Sequence, residues 1–380
     1  MNQIFFYIAS GILIVYLFFF HKEDTPSFVH QAKMQSSEIP VFIKNDLPKI
    51  AKAPSMHSAS ITELSDQRIF TVWFAGRGEG KPDVKIYGSF YDASKNLWTE
   101  PKVVLTRQKL KMDSKHFIKK LGNPVIYKSA NGDLHLFVVG VTFGGWATSK
   151  IYHYISKDEA TSFAYVGVLR LGALMNLSHL VRSSPVGLED GGFYLPVYHE
   201  LADKYPLIVR FDAKGEMLDA RKITDKKGQL QPSIVALNEK ECLAVMRNYY
   251  DKAMNMQFCK SGGLVWEAPV ERNLINENNS IAIFKINDEI FLIHNTREKS
   301  PEESRGTLVL SMLKEKEWKQ IAILDIARGI RKEGKSVEVS YPNVKVGQQF
   351  VDIVYTNNRS QISHIRFNQK WLEEKIREKQ

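Results

Sequence analysis

Cysteine is almost missing from this 380-residue chain, which has only Cys242 and Cys259 and no C-x-x-C pair. That excludes a zinc knuckle and a dithiol redox motif, and spacing alone does not assign a disulfide. Acidic residues are also short, 42 Asp and Glu against 52 Lys and Arg, for a net charge of +10 and a pI near 9.3. The imbalance suits an anionic partner such as a sugar acid, lipopolysaccharide or nucleic acid, or else only a basic surface. Apolar side chains are not scarce. At 44%, with 11% aromatic residues, they exclude a disordered chain and can build one large β domain or two ordinary ones.

The first residues lack the marks of a cleaved leader. The run "IFFYIASGILIVYLFFF", residues 4–20, is uncharged and just long enough to cross a bilayer as a helix. It has no basic segment before it and no small-x-small cleavage site, which predicts a retained anchor. The following "HKEDTPSFVHQ" is not enriched in Lys or Arg, so the body of the chain is expected outside the cytoplasm. The resulting division is an anchor over 1–21, a linker over 22–50, a main domain over 51–372 and a tail over 373–380. The closing "WLEEKIREKQ" reads as a short charged helix.

Two repeats organise the main domain. The turn "ISKDEATSF", residues 155–163, has relatives in "SFYDASKNLW", "RFDAKGEML", "CKSGGLVW", "SMLKEKEW" and "RFNQKW", at intervals of 65, 55, 48, 52 and 53 residues. A period near 50 marks blades or arrays. Out of phase with it run six segments of a second kind, among them "NPVIYKSANGDLHLFVVGV", "NSIAIFKINDEIFLIHN" and "YPNVKVGQQFVDIVYTN". Each has a polar start, a short apolar strand, a turn and a longer apolar strand with a polar end, the plan of a β-hairpin. Six hairpins, each followed by another strand and turn, predict an all-β, six-bladed β-propeller.

In an antiparallel hairpin the start of the first strand and the end of the second share one edge, so these ends should gather on one face. In chain order that face collects His57, Arg77, Glu79, Asp83, Asn123, Trp146, Arg182, Tyr198, His199, Glu200, Gln231, Arg247, Asn279, Tyr341, Tyr355 and Arg359. Arginine forks bind a carboxylate in two-pronged fashion, so a convergent set points to an acidic ligand, with Arg182 and Arg247 the first choices. A Glu beside a Tyr suits cleavage of a sugar that carries a carboxylate on its anomeric carbon. There a carboxylate nucleophile would be repelled and a neutral phenol would not. His199 and Glu200 are not a metal pair, because adjacent strand residues point to opposite faces. No metal and no cofactor is expected.

The turn motif resembles the Asp-box of sialidases. Together "HSASITEL", "GRGEGKPDVKIY", "GNPV", "VTFGGW", "LVRSSPV", "LPVYHE", "LQPS" and "SYPN" resemble the sialidase-like BNR-repeat family over residues 55–371. Within that family, a membrane-anchored bacterial chain of this plan is similar to the sialidase-like subunit of Kdo hydrolases. Such enzymes remove the outer 3-deoxy-D-manno-octulosonic acid (Kdo) from lipid A cores with help from a separate membrane protein. The resemblance implies Tyr341 as nucleophile, Glu200 as its partner and Arg247 as one clamp arginine. The acid/base carboxylate is left open between Glu79 and Asp83. His57 stands where sialidases carry their first clamp arginine, which fits a related acid better than sialic acid itself. The remaining face residues (Arg77, Arg182, His57, Asn123, Trp146, His199, Gln231, Asn279 and Arg359) are candidates for substrate binding.

The implied protein is an exo-glycosidase of 2-keto-3-deoxy sugar acids, anchored by one span in a bacterial inner membrane with its catalytic domain in the periplasm. Its partners are a Kdo-containing lipopolysaccharide or other acidic glycan and a membrane subunit, and no nucleic acid. The alternatives are an exo-α-sialidase and a non-catalytic propeller that binds acidic glycans. Each residue also has a structural rival: Tyr341 as the start of a buried strand, Glu200 as a rim ion pair, His57 as a structural histidine, Trp146 as an inter-blade plug. A hydrogen bond between Glu200 and Tyr341 is the feature that separates catalysis from binding.

Overall fold

All six apolar hairpins become the inner strand pairs of separate sheets in the computed structural model, which describes residues 25–30, 33–172, 175–250, 252–329 and 337–379. The first sheet orders Ser55–Glu63, Ile69–Gly76, Lys85–Asp92 and Leu97–Trp98, and the second orders Lys120–Lys128, Leu134–Val141, Ser149–Ser156 and Ala164–Val168. The other four repeat the plan, all neighbours antiparallel, and the six sheets form the blades of an all-β propeller.

The pattern of burial explains why the inner strands read as unbroken apolar runs. Ile69–Gly76 and Leu134–Val141 are buried at every residue, because each blade face is covered by the next blade. Outer strands such as Met217–Lys222 and Val270–Ile275 alternate, since one face of each meets water. The hydrophobic core is accordingly divided into six clusters, one per blade interface. Phe70, Val72 and Leu136 join the first two blades, and Trp73, Trp98, Val354 and Ile362 join the last to the first.

Ring closure corrects the expected linker. Residues 42–46 are not linker but the outermost strand of the sixth blade, paired with Gln361–Asn368 in a register that runs from Phe42 opposite Phe367 to Asp46 opposite Ser363. The sixth copy of the turn motif, "RFNQKW", therefore has no outer strand to lead into. It becomes the helix Gln369–Arg377, capped by the Asn368 side chain, with Leu372 in the core and Trp371 stacked on Phe42 at 4.7 Å.

The rest of the supposed linker is fastened down as well. The Phe28 amide donates to the carbonyl of Glu239, Val29 to that of Gly187, and Gln35 to that of Gln348. All three acceptors lie at turns between first and second strands, on the face opposite the hairpin starts. Val29 lines a cavity of about 530 Å³ at that mouth of the central channel. The expected anchor lies outside the described residues. Among the described residues no helix is long and apolar enough to cross a membrane.

Cys242 and Cys259 are opposite partners on neighbouring strands of the fourth blade and form a disulfide.

Candidate active site

Four of the inner strands carry the same irregularity. Between His57 and Ser60, Leu121 and Pro124, Leu230 and Ser233, and Ser340 and Asn343, three steps on the first strand face two on the second, a one-residue bulge. The first extra residue is Ser58, Gly122, Gln231 and Tyr341 in turn. Ser58, Gln231 and Tyr341 have positive φ (56°, 47° and 57°), which costs a residue with a Cβ about 1 kcal/mol each. At Gly122 a Cβ would come within 2.7 Å of the Trp146 ring. The bulges re-aim side chains at the ends of the hairpins where the sequence places its candidates.

Tyr341 lies at the centre of what they assemble. Its hydroxyl accepts a hydrogen bond from Arg247 Nη1 at 3.1 Å, while Arg247 Nε donates to Asn278 Oδ1 at 2.7 Å. The guanidinium carbons of Arg182 and Arg305 are 5.2 and 5.6 Å from the centroid of its ring, and the His57 ring packs against it at 4.2 Å. Burial alone would push the phenol up. The charges of Arg247, Arg305 and Arg359 outweigh it, even against Glu79, and hold the phenol below its ordinary value.

Arg305 and Arg359 are linked through one carboxylate. Glu338, fully buried, accepts from Arg359 Nε at 2.5 Å and from Arg305 Nη1 at 3.3 Å. Arg305 is held further by Asn279 Oδ1 at 2.7 Å and the Asn278 carbonyl at 3.1 Å. Arg359 Nη1 also pairs with Glu79. Glu200 is pushed up by burial, with Arg247 and Lys204 opposing and Glu79 adding to the rise.

Several candidates do other work. Arg182 is 1% exposed and bonds only backbone, with Nη1 to the Ala59 carbonyl at 3.2 Å and Nη2 to those of Tyr341 and Pro342. It braces the bulges that carry Tyr341. Burial lowers its pKa to about 10. Arg77, three-quarters exposed, is tied to Asp83, whose carboxylate also accepts from the Arg77 amide at 2.9 Å and is kept below its usual value despite some desolvation. That pair closes the 77–83 loop on itself.

His199 packs between His179 and Tyr205, at 5.2 and 4.7 Å, because strand alternation turns it away from Tyr198 and Glu200. Asn123 and Gln231 are buried and reach the Tyr198 hydroxyl at 3.5 and 3.4 Å. Asn279 positions Arg305. Trp146 lies over Gly122 with Lys120 Nζ 4.2 Å from its ring centroid, partly packed into the interface of the second and third blades. Tyr355 is buried and donates to Asp325 at 2.7 Å, away from the cluster. His57, among four arginines, is desolvated and held well below its ordinary pKa, so it is a neutral ring packed on Phe74 and Tyr341 and not a charged member of a clamp.

The expected Glu200–Tyr341 hydrogen bond is not made. Both residues instead act on Arg247, through its hydrogen bond to the phenol and its charge beside the carboxylate.

The sequence pattern of the BNR repeat-like domain matches residues 67–353. The chain belongs to the BNR repeat-like family. Solved structures of similar fold include a protein of unknown function from Dyadobacter fermentans, at TM-score 0.67 and 13% identity, covering 87% of this chain and 100% of that one. The Hadza microbial sialidase Hz136 matches at 0.67 and 10%, covering 84% of this chain and 66% of its own. The NanB sialidase of Streptococcus pneumoniae matches at 0.63 and 10%, covering 85% and 70%. No curated protein matches the chain in sequence. At these identities the likeness establishes the fold.

Two charged members of this BNR repeat-like site, Arg305 and Glu338, escaped the reading of the sequence. Arg305 lies at the end of "REKSPEESRG", which joins second to third strand in the fifth blade as "GRGEGKPDV" does in the first. That equivalence was the available signal. Glu338 sits two residues before "SYPN", where no pattern distinguished it.

Proposed function

We propose that this protein is an exo-glycosidase that removes a terminal 2-keto-3-deoxy sugar acid, with the outer Kdo of lipid A cores as its substrate. The observation that carries the reading is the buried phenol of Tyr341, hydrogen-bonded by Arg247 and surrounded by the charges of Arg305 and Arg359. Three guanidiniums around one phenol suit a substrate whose anomeric carbon bears a carboxylate, since the clamp that binds the acid also eases the phenol toward the phenolate.

In this scheme Arg247, Arg305 and Arg359 receive the carboxylate. Tyr341 Oη attacks the anomeric carbon as the glycosidic C–O bond breaks, and its proton passes to Glu200, whose raised affinity for protons fits it for the task. Glu79 protonates the departing oxygen and then takes a proton from the water that releases the sugar. Asp83 is less suited, since Arg77 holds it ionised. Arg359, from the turn after the second strand of the sixth blade, supplies the charge that His57 lacks. The rearranged clamp favours Kdo over sialic acid.

A retained anchor over residues 4–20 would place the propeller in the periplasm beside a membrane partner. The disulfide supports an oxidising compartment. A propeller that only binds acidic glycans is the second reading, favoured by the missing Glu200–Tyr341 hydrogen bond. The test is to incubate the full chain with Kdo-bearing lipid A and follow free Kdo by mass spectrometry. Release by the wild type but not by Tyr341→Phe supports the enzyme. Binding without release by either supports the second reading.

A further inference from the structure

Arg359 holds two carboxylates of very different standing. Glu338 is fully buried, bridges Arg359 to Arg305, and has its backbone fixed in both directions by Asn358, which accepts from its amide through Oδ1 at 2.9 Å and donates to its carbonyl at 2.7 Å. It is a permanent counter-ion. Glu79, in contrast, has a side chain 37% exposed and stands between Gly78 and Gly80 in the loop that Asp83 closes on Arg77. Gly80 has a φ of 77°, open to few other residues. Of the two partners, only Glu79 can leave at little cost.

We infer that Glu79 is a substrate-displaced latch: it holds the place on Arg359 that the carboxylate of the acidic sugar takes, and its displacement frees it to serve as the proton donor. The inference rests on the functional reading above. The exchange replaces one negative charge by another, so the net charge around the phenol is kept and Arg359 is not left with Glu338 as its one counter-ion. Once released, Glu79 loses its ion pair with the Arg359 guanidinium and remains near the carboxylate of Glu200, with which it interacts. Both changes favour its protonated form. It takes a proton from solvent on substrate binding and gives it to the leaving oxygen as the glycosidic bond breaks, so the proton count closes.

The latch also explains selectivity for acids at the level of chemistry and not only of binding. A neutral analogue that fills the same site would leave Glu79 paired with Arg359 and out of reach of the leaving oxygen. The carboxylate of the substrate is what arms the acid.

Titration of the full-length protein with free Kdo and with its methyl ester tests the idea. Glu79→Gln removes the competing anion while keeping the shape of an exposed loop side chain. It should bind Kdo about fivefold more tightly than wild type, roughly the strength of a partly exposed ion pair, and should release no Kdo from the glycolipid. Glu79→Asp should fall between the two. Wild type should take up close to one proton per Kdo bound near neutral pH, read by calorimetry in buffers of different ionisation enthalpy, and Glu79→Gln should take up none. The methyl ester should bind both proteins alike. Equal or weaker binding of Kdo by Glu79→Gln overturns the latch, as does equal proton uptake by both proteins. Were wild type to bind no Kdo, the functional reading would fall and the latch with it. If Tyr341→Phe stops release but Glu79→Gln leaves Kdo affinity unchanged, only the latch fails.

Discussion

Arg247 Nη1 donates a hydrogen bond to the Tyr341 hydroxyl at 3.1 Å, and its charge is the first of those that hold the phenol below its ordinary value. Arg247→Lys keeps a positive charge but loses the fork, with one prong on Tyr341 and its Nε on Asn278. Turnover of the acidic glycoside should fall by about 10²- to 10³-fold, with the pH at which Tyr341 ionises moving upward. Kinetics and ultraviolet titration of the phenol would measure both. A near-wild-type rate would place the clamp elsewhere.

Arg182 tests the difference between a brace and a clamp. Its fork satisfies carbonyls of residues 59, 341 and 342 inside the bulges, which lysine cannot span together. Arg182→Lys should leave buried acceptors unpaired at about 1–3 kcal/mol each, lower the melting temperature and reduce kcat as Tyr341 shifts. KM for the acid should change little. A large rise in KM with unchanged stability would return Arg182 to the substrate.

Acid should destabilise the fold through a buried histidine pair. His135 Nδ1 and His153 Nε2 are 2.9 Å apart between the second and third blades, with Ser129 on the far nitrogen of His135 at 3.0 Å. Burial lowers His135 to about 4 and His153 to about 3, the second also through the first. Unfolded, both titrate near 6.5. The unfolded chain thus binds more protons below that value, and stability present above pH 6.5 should be lost as pH falls toward 4 and 3. Denaturant melts at pH 7.5 and 5 check this. His153→Gln should flatten the dependence even where it lowers stability overall, and an unchanged slope would remove the pair from the account.

Reduction is a separate lever on the same body. Cys242 and Cys259 join neighbouring strands across a 17-residue separation. Replacing both by serine should cost about 3 kcal/mol, the loop entropy returned to the unfolded chain, and be read as a lower denaturant midpoint with full activity retained. Loss of activity without loss of stability would contradict a structural role.

Blade number and the inner hairpins were legible because covering both faces of a strand leaves an unbroken apolar run, and because the turn "ISKDEATSF" repeats. That turn is locally stabilised, with Ser156 and Ser162 donating to Asp158 at 2.8 and 2.6 Å and holding it at about 2. That Tyr341 and Arg247 share one face followed from hairpin geometry; their hydrogen bond did not, since the expected partner of Tyr341 was Glu200. Pairings across blades did not follow, because they depend on bulges that re-aim side chains by one residue and on loops of different lengths. Arg182 looked like a clamp until its depth was known. Residues 42–46 looked like linker because a strand completed by the far end of the chain leaves no local signal.

The fastening of residues 25–30 has a consequence for orientation. Lys240 Nζ donates to the Thr25 carbonyl at 2.8 Å and to Ser27 Oγ at 2.7 Å, and Phe28 is buried against Leu188, so the chain is fixed to the turns opposite the site from Thr25 onward. Four residues separate Thr25 from the end of the proposed anchor at residue 20, a reach of at most ~18 Å. An eight-residue blade strand such as Leu134–Val141 spans roughly 26 Å. With residues 4–20 in a bilayer, the tether is too short to turn the site toward that surface, and Tyr341 must open away from it. A lipid-linked substrate in the same leaflet would have to be carried to the site, a task suited to the membrane subunit that the family resemblance implies. The two cysteines are paired with each other, so a single added thiol reports position. In vesicles with a headgroup quencher, a dye on Lys214→Cys, at an outer turn of the third blade, should be quenched. A dye on Glu302→Cys, in the loop that carries Arg305, should not. Deleting residues 1–21 should release a soluble protein with both dyes bright. Quenching at 302 in the anchored protein would reverse the orientation, and retention after the deletion would show that a partner holds the propeller.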